Sequence, residues 1–191
     1  MIFNLATFGI VFVAMLVQQL IPSFEWAHGG FVFVVAVAFF CCAISVPFPV
    51  MLALAFFTGL LWDGLHVVIP PDGEISNPQA AIKDIKFGYS ILLFAALGGL
   101  MQGLRPLFRR GRWELPIIMT GVGSFLFLLI QYLLVNFSLG GLVFPSTVWY
   151  KILTTALLCM LISPLGFFIL HRLATATGYQ IRYEGLRRRF T

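Results

Sequence analysis

The sequence predicts an all-α bundle of about six helices buried in a membrane, and three observations carry that prediction. Of 191 residues, 60% are apolar or aromatic and only 10% are charged, whereas a soluble domain carries roughly 25% charge to wet its surface. The apolar residues fall in runs of about the ~20 residues that cross a bilayer as a helix. They do not show the ~10-residue alternation of a transmembrane barrel. The runs fill most of the chain, so residues 1–191 are read as a single integral membrane domain with no separate soluble part.

The first run, residues 2–21, is broken only by Asn4, Thr7, Gln18 and Gln19. No Lys or Arg precedes it, as a cleaved signal peptide would require, so it reads as a retained first span. Residues 30–46 and 49–69 form the second and third spans. Pro47 and Pro49 separate them, removing two backbone donors and forcing their predecessors out of the α region, so the chain reverses there. A polar stretch follows, from Pro70 through Lys86. Residues 87–104, 115–135 and 149–170 complete the set, and a short basic tail runs from 171 to 191.

The formal net charge of +5 is distributed unevenly. Arg105, Arg109, Arg110 and Arg112 lie between the fourth and fifth spans, and Arg172, Arg182, Arg187, Arg188 and Arg189 lie in the tail. With six spans both segments fall on one side, which the positive-inside rule makes cytoplasmic. Both termini are then inside. The inner side carries +7 (nine basic residues against Glu114 and Glu184) and the outer side −2 (Lys83, Lys86 and Lys151 against five acids, with Asp63 ionised). The excess is an orientation signal that also attracts anionic membrane lipids, not a nucleic-acid footprint. Trp26, Trp149 and Tyr150 mark the outer interface in this topology, and Trp113 the inner one.

Polar residues inside apolar runs are the candidates for function. Asp63 and His66 stand three residues apart near the outer end of the third span, on roughly one helical face. An intramembrane carboxylate is costly and by default functional; an Asp63 at headgroup level is the alternative. Gln18 and Gln19 of the first span, with Gln131, Tyr132 and Asn136 of the fifth, reach the same outer level. They form either a shared polar niche or a set of interfacial side chains. Ala95, Gly99 and Gly103 recur at four-residue intervals in the fourth span, a small-residue pattern that lets helix backbones approach closely. Packing within the chain is its default reading and a partner helix the alternative, and Gly59 can act in the same way.

Catalytic patterns are scarce. There is no His-Glu-x-x-His, no Gly-x-Ser-x-Gly and no phosphate-binding loop. Gly121-Val122-Gly123-Ser124 reads as a packing segment. Cys41, Cys42 and Cys159 lie in apolar runs at spacings that suit neither a disulfide framework nor a zinc site, and behave as small hydrophobes. The sequence predicts no enzymatic activity, no metal and no cofactor.

The run Ala55-Phe56-Phe57-Thr58-Gly59-Leu60-Leu61-Trp62-Asp63, following a Pro-bounded turn, resembles the Ala-Phe-x-x-Gly-Leu-x-x-Asp signature of the MreD family of rod shape-determining proteins. The six-span layout, the basic loop after the fourth span and the short basic tail are similar as well. The segment 70–86 is longer than the family's usual connection, and the tail beyond His171 is somewhat long. The resemblance implies a non-enzymatic subunit of the bacterial inner-membrane elongation complex that directs lateral peptidoglycan synthesis. Its partners would be a bitopic MreC-like protein, a RodA-type glycosyltransferase with its transpeptidase and, indirectly, the actin-like MreB. Phe56, Gly59, Leu60 and Asp63 match the motif. With His66, Ala95, Gly99 and Gly103 they are the candidate partner-contact residues. The family fold is similar to that of the substrate-binding S components of energy-coupling-factor vitamin transporters, which supplies the alternative function. Against it, Ala6 is followed four residues on by Ile10, where those components carry a second alanine for docking.

Overall fold

A computed structural model describes residues 2–22, 30–65, 88–105, 114–138 and 145–179. Its elements are six helices, α1 (Ile2–Leu20), α2 (Val34–Ser45), α3 (Phe48–Leu65), α4 (Tyr89–Gly103), α5 (Glu114–Ser138) and α6 (Ser146–Ala176). Each coincides with one predicted span. Four of them, α1, α3, α5 and α6, are long and apolar enough to cross a membrane; α2 and α4 are shorter apolar helices. The chain is therefore a multi-pass, all-α membrane protein.

Its surface is inverted relative to that of a soluble bundle. On α1 the stripe Phe3, Thr7, Val11, Ala14 and Met15 is buried, yet the opposite face is equally apolar. Leu5, Phe12, Leu16 and Leu20 are exposed there, Leu5 by 76%. Lipid, not water, is the solvent such a face matches.

The helix at the centre is α2. Its sequence Val-Val-Ala-Val-Ala-Phe-Phe-Cys-Cys-Ala-Ile-Ser has no polar face, and every residue from Val35 to Ser45 is buried, as expected of a helix that is apolar all round. The other five helices all touch it. Small residues allow that approach: a Cβ on Gly166 of α6 would lie 3.1 Å from Cys41 Sγ, and one on Gly123 of α5 would meet Met101 and Phe40. Gly121 rests on Met160 in the same manner, so the Gly121–Ser124 segment is a packing surface. Cys41, Cys42 and Cys159 are all free and buried.

Successive helices alternate in direction, which gives the bundle two ends. At one, Tyr179 stacks on Phe3 with ring centroids 4.2 Å apart, tying the third residue beyond α6 to the start of α1. The α6 terminus turns there through Gly178 at φ +63, and the Tyr179 N–H donates to Ala174 O at 2.9 Å. At the other end Phe33, Trp62, Phe94 and Phe127 form a chain of ring contacts at 4.6–5.2 Å between centroids.

Two expectations change. The second span is helical only from Val34, and the stretch Gly30–Phe33 is non-helical though largely buried. Of the Ala95–Gly99–Gly103 stripe only Ala95 packs against the core within the chain; a Cβ on Gly99 or Gly103 would meet nothing within 4 Å. Close packing falls instead on Gly59, where a Cβ would lie 2.5 Å from the Ile91 backbone, and on Gly98 against Met51 and Phe39.

Candidate functional site: the ends of the central helix and the α3–α4 hairpin

A 12-residue helix rises only about 18 Å, well short of the ~30 Å hydrocarbon core. Each α-helix leaves four N–H and four C=O groups without partners in its own ladder, and in lipid each such group costs several kcal/mol. Both ends of α2 are therefore problems that neighbouring helices must solve. Polar side chains from α1, α4 and α6, and Arg105 just beyond α4, do so.

At the N-terminal end, Gln18 of α1 accepts the Val34 N–H through Oε1 at 2.7 Å. Thr155 of α6 accepts the Phe31 N–H at 3.3 Å, and the Cys159 thiol points at Phe33 O at 3.9 Å. At the C-terminal end, Gln102 of α4 donates through Nε2 to Ala43 O and Val46 O, both at 2.9 Å. Arg105 Nη2 donates to the same two carbonyls. Arg105 is only 7% exposed, so it is a buried cap on the negative end of a helix as well as part of a basic segment. Sequence reasoning missed both Gln102 and Arg105; the signal was a Gln and an Arg three residues apart just where an apolar span ends.

Asp63 likewise has a partner inside the chain. Its Oδ2 accepts the Gly88 N–H at 2.7 Å, and Gly88 is the N-cap residue of α4 at φ +109, a conformation that favours glycine. The carboxylate thus sits at the positive end of α4 and ties the last turn of α3 to the first of its neighbour. Below it, Gly59 brings the two backbones together. The motif run therefore divides by face: Ala55, Thr58, Gly59 and Trp62 are buried, whereas Phe56 and Leu60 are 55% and 38% exposed. Ala95 is half-buried, Gly99 half-buried and Gly103 exposed. His66 lies outside the described residues, as do Lys83, Lys86, Trp26, Trp113 and every arginine except Arg105 and Arg172.

The five residues expected at one polar level do not form one niche. Gln18 serves α2, Gln19 is exposed, and Asn136 Nδ2 donates to Tyr132 O of its own helix at 3.2 Å. Gln131 and Tyr132 line a separate pocket of about 400 Å³ between α5 and α6 with Lys151 and Thr155. The centre of the bundle at that end is filled by the Phe33, Trp62, Phe94 and Phe127 rings, so the pocket is peripheral.

The Gln18 contact makes a direct prediction. Gln18→Leu should lower stability by about 1–2 kcal/mol, the size of a lost helix cap, whereas Gln19→Leu one residue away should leave it unchanged. Thermal unfolding of the two variants in one detergent checks this; equal melting temperatures would show that the cap contributes nothing.

Among the described residues no group of three or more His, Cys, Asp or Glu side chains is placed to hold a metal. Comparison of the chain with protein-family models, with characterised proteins and with solved structures returned no match.

Proposed function

We propose that this protein is a non-enzymatic, MreD-like subunit of the bacterial elongation complex in the cytoplasmic membrane, with six spans and both termini inside. It would bind an MreC-like bitopic protein and a RodA-type synthase with its transpeptidase, and support rod shape. One observation carries the reading: the two faces of the Ala55–Asp63 run have different tasks. Gly59 and Asp63 fasten α3 to α4, and Phe56 and Leu60, from the same motif, point away from the bundle. A motif spent only on internal packing would not need its second and sixth residues in a fixed relation to the others. A rigid hairpin that presents two large apolar side chains to a partner helix does.

The test separates the faces. Phe56→Ala combined with Leu60→Ala should leave thermal stability at the wild-type level, yet reduce co-purification with the MreC-like partner and round up rod-shaped cells. Asp63→Leu should also reduce co-purification, but together with a loss of thermal stability because it removes the Gly88 contact of the hairpin, and Asp63→Asn, which keeps an acceptor oxygen for Gly88, should be milder. Wild-type shape and undiminished co-purification in the Phe56/Leu60 double variant would overturn the proposal.

A further inference from the structure

Helix α6 runs unbroken from Ser146 to Ala176 although Pro164 lies inside it. Proline has no N–H for the carbonyl four residues back, and its ring crowds that carbonyl. The Met160 carbonyl therefore loses its ladder donor in the middle of an apolar span. The preceding residue adds a second irregularity. Thr7, Ser45, Thr58, Thr120 and Ser124, all buried, each donate their hydroxyl to a carbonyl three or four residues back. Ser163, also fully buried, donates to no carbonyl, and the Cys41 thiol of α2 lies beside it. A second arrangement is open to it. Thr154 and Thr175 of the same helix reach the carbonyl three residues back, at 3.1 and 2.8 Å, and for Ser163 that carbonyl is the one Pro164 leaves without its donor. Back-bonding of this kind bends a helix.

The part of α6 beyond Pro164 is lightly held. Only Leu170 and Ala174 are buried there, and few buried apolar contacts mark a segment of low local stability. It meets α2 through Gly166, which has no side chain to interlock with the neighbouring Cys41. Its far end is fastened to α1, where the Tyr179 ring lies flat on Phe3 at an interplanar angle of 7°. We propose that residues 165–176 form an arm that swings about Ser163 and Pro164 and is latched by Tyr179 on Phe3. In the latched state Ser163 sits beside Cys41; in the released state its hydroxyl donates to the Met160 carbonyl. The arm is about 18 Å long, so a change of about 20° at the hinge, the size of a proline kink, moves its end by about 6 Å. The chain continues from Tyr179 to Arg182, Arg187, Arg188 and Arg189, so a load on those arginines is a load on the latch. The device stands independently of the elongation-complex reading.

Double electron–electron resonance on the full chain in lipid nanodiscs tests this. Nitroxides are placed through Gly103→Cys on α4 and Ala176→Cys at the end of the arm, both exposed positions, with Cys41, Cys42 and Cys159 changed to alanine. The latched distance should dominate in this background. Tyr179→Ala should raise the share of a second distance, displaced by about 6 Å, by about fivefold, the effect of losing one ring pair. Phe3→Ala should do the same from the other side of the latch. Pro164→Ala returns an N–H to the Met160 carbonyl and should abolish the second distance even in combination with Tyr179→Ala. That combination separates a hinge from a frayed helix end, because fraying next to the lost ring does not depend on Pro164. A distance distribution left unchanged by both Tyr179→Ala and Phe3→Ala would overturn the proposal. So would a second distance that persists when Pro164→Ala is combined with Tyr179→Ala.

Discussion

Replacing Arg105 with leucine is expected to destabilise the protein by about 3 kcal/mol, the upper range for hydrogen bonds from a charged donor. The expectation follows from how α2 ends. Val46 is extended, at φ −97 and ψ 159, because it precedes a proline. Neither Pro47 nor Pro49 has an N–H to offer the last carbonyls of the helix. Ala43 O and Val46 O lie in the bundle interior and each receives two donors, one from Gln102 and one from Arg105. Either single substitution leaves both carbonyls with one donor; the double removes all of them and incurs the full cost of burying unpaired acceptors. Gln102→Leu combined with Arg105→Leu should therefore cost more than the sum of the two single changes by at least about 1 kcal/mol, in a pair that shares acceptors. Unfolding of the four proteins in one detergent measures that coupling. Additive losses would show that the two side chains cap α2 independently.

The same residues show what could be read from the sequence and what could not. Six apolar runs located six helices because length and composition decide that question in lipid. The run from 30 to 46 hid its non-helical start, since Phe31, Val32 and Phe33 are as apolar as the helix they precede and a buried run carries no periodicity to separate the two. The acceptors that permit an irregular backbone there come from 16 and 124 residues away in the chain, beyond the reach of local pattern. Arg105 was legible as an orientation charge because four arginines cluster at 105–112; that one of them turns inward depends on where α2 ends in space. Asp63 was legible as unusual, and its partner Gly88 was not, because 25 residues of sequence separate them. Glycine positions gave the least: Gly59, Gly98, Gly99 and Gly103 look alike in composition, and only the rotation of each helix about its axis distinguishes those that face a neighbour.

That distinction sets up the second large effect. Gly59→Ala is expected to cost about 2–3 kcal/mol, within the range for overpacking a tight contact, and Gly59→Leu to prevent the hairpin from closing. The added Cβ would lie 2.5 Å from both Cα and N of Ile91, and backbone cannot rotate away as a side chain can. Separating α3 from α4 there would also draw Asp63 from Gly88 and disturb Trp62, which packs on Phe33 at 4.8 Å. Gly98→Ala should be milder, because its nearest neighbours are the Met51 sulfur at 2.7 Å and the Phe39 ring edge at 3.0 Å, and methionine can adjust. Gly99→Ala and Gly103→Ala meet nothing and remove the intrinsic helix penalty of glycine, about 1 kcal/mol at most, so they should be neutral or slightly stabilising. The order Gly59, Gly98, then Gly99 with Gly103, read from melting temperatures in detergent, tests the packing of the hairpin directly. A Gly59→Ala protein as stable as Gly99→Ala would mean that α3 and α4 do not meet at this point. If Gly99→Leu keeps wild-type stability but loses partner association, the small-residue face of α4 joins Phe56 and Leu60 as a contact surface, because the leucine would then disturb something that is not in the chain.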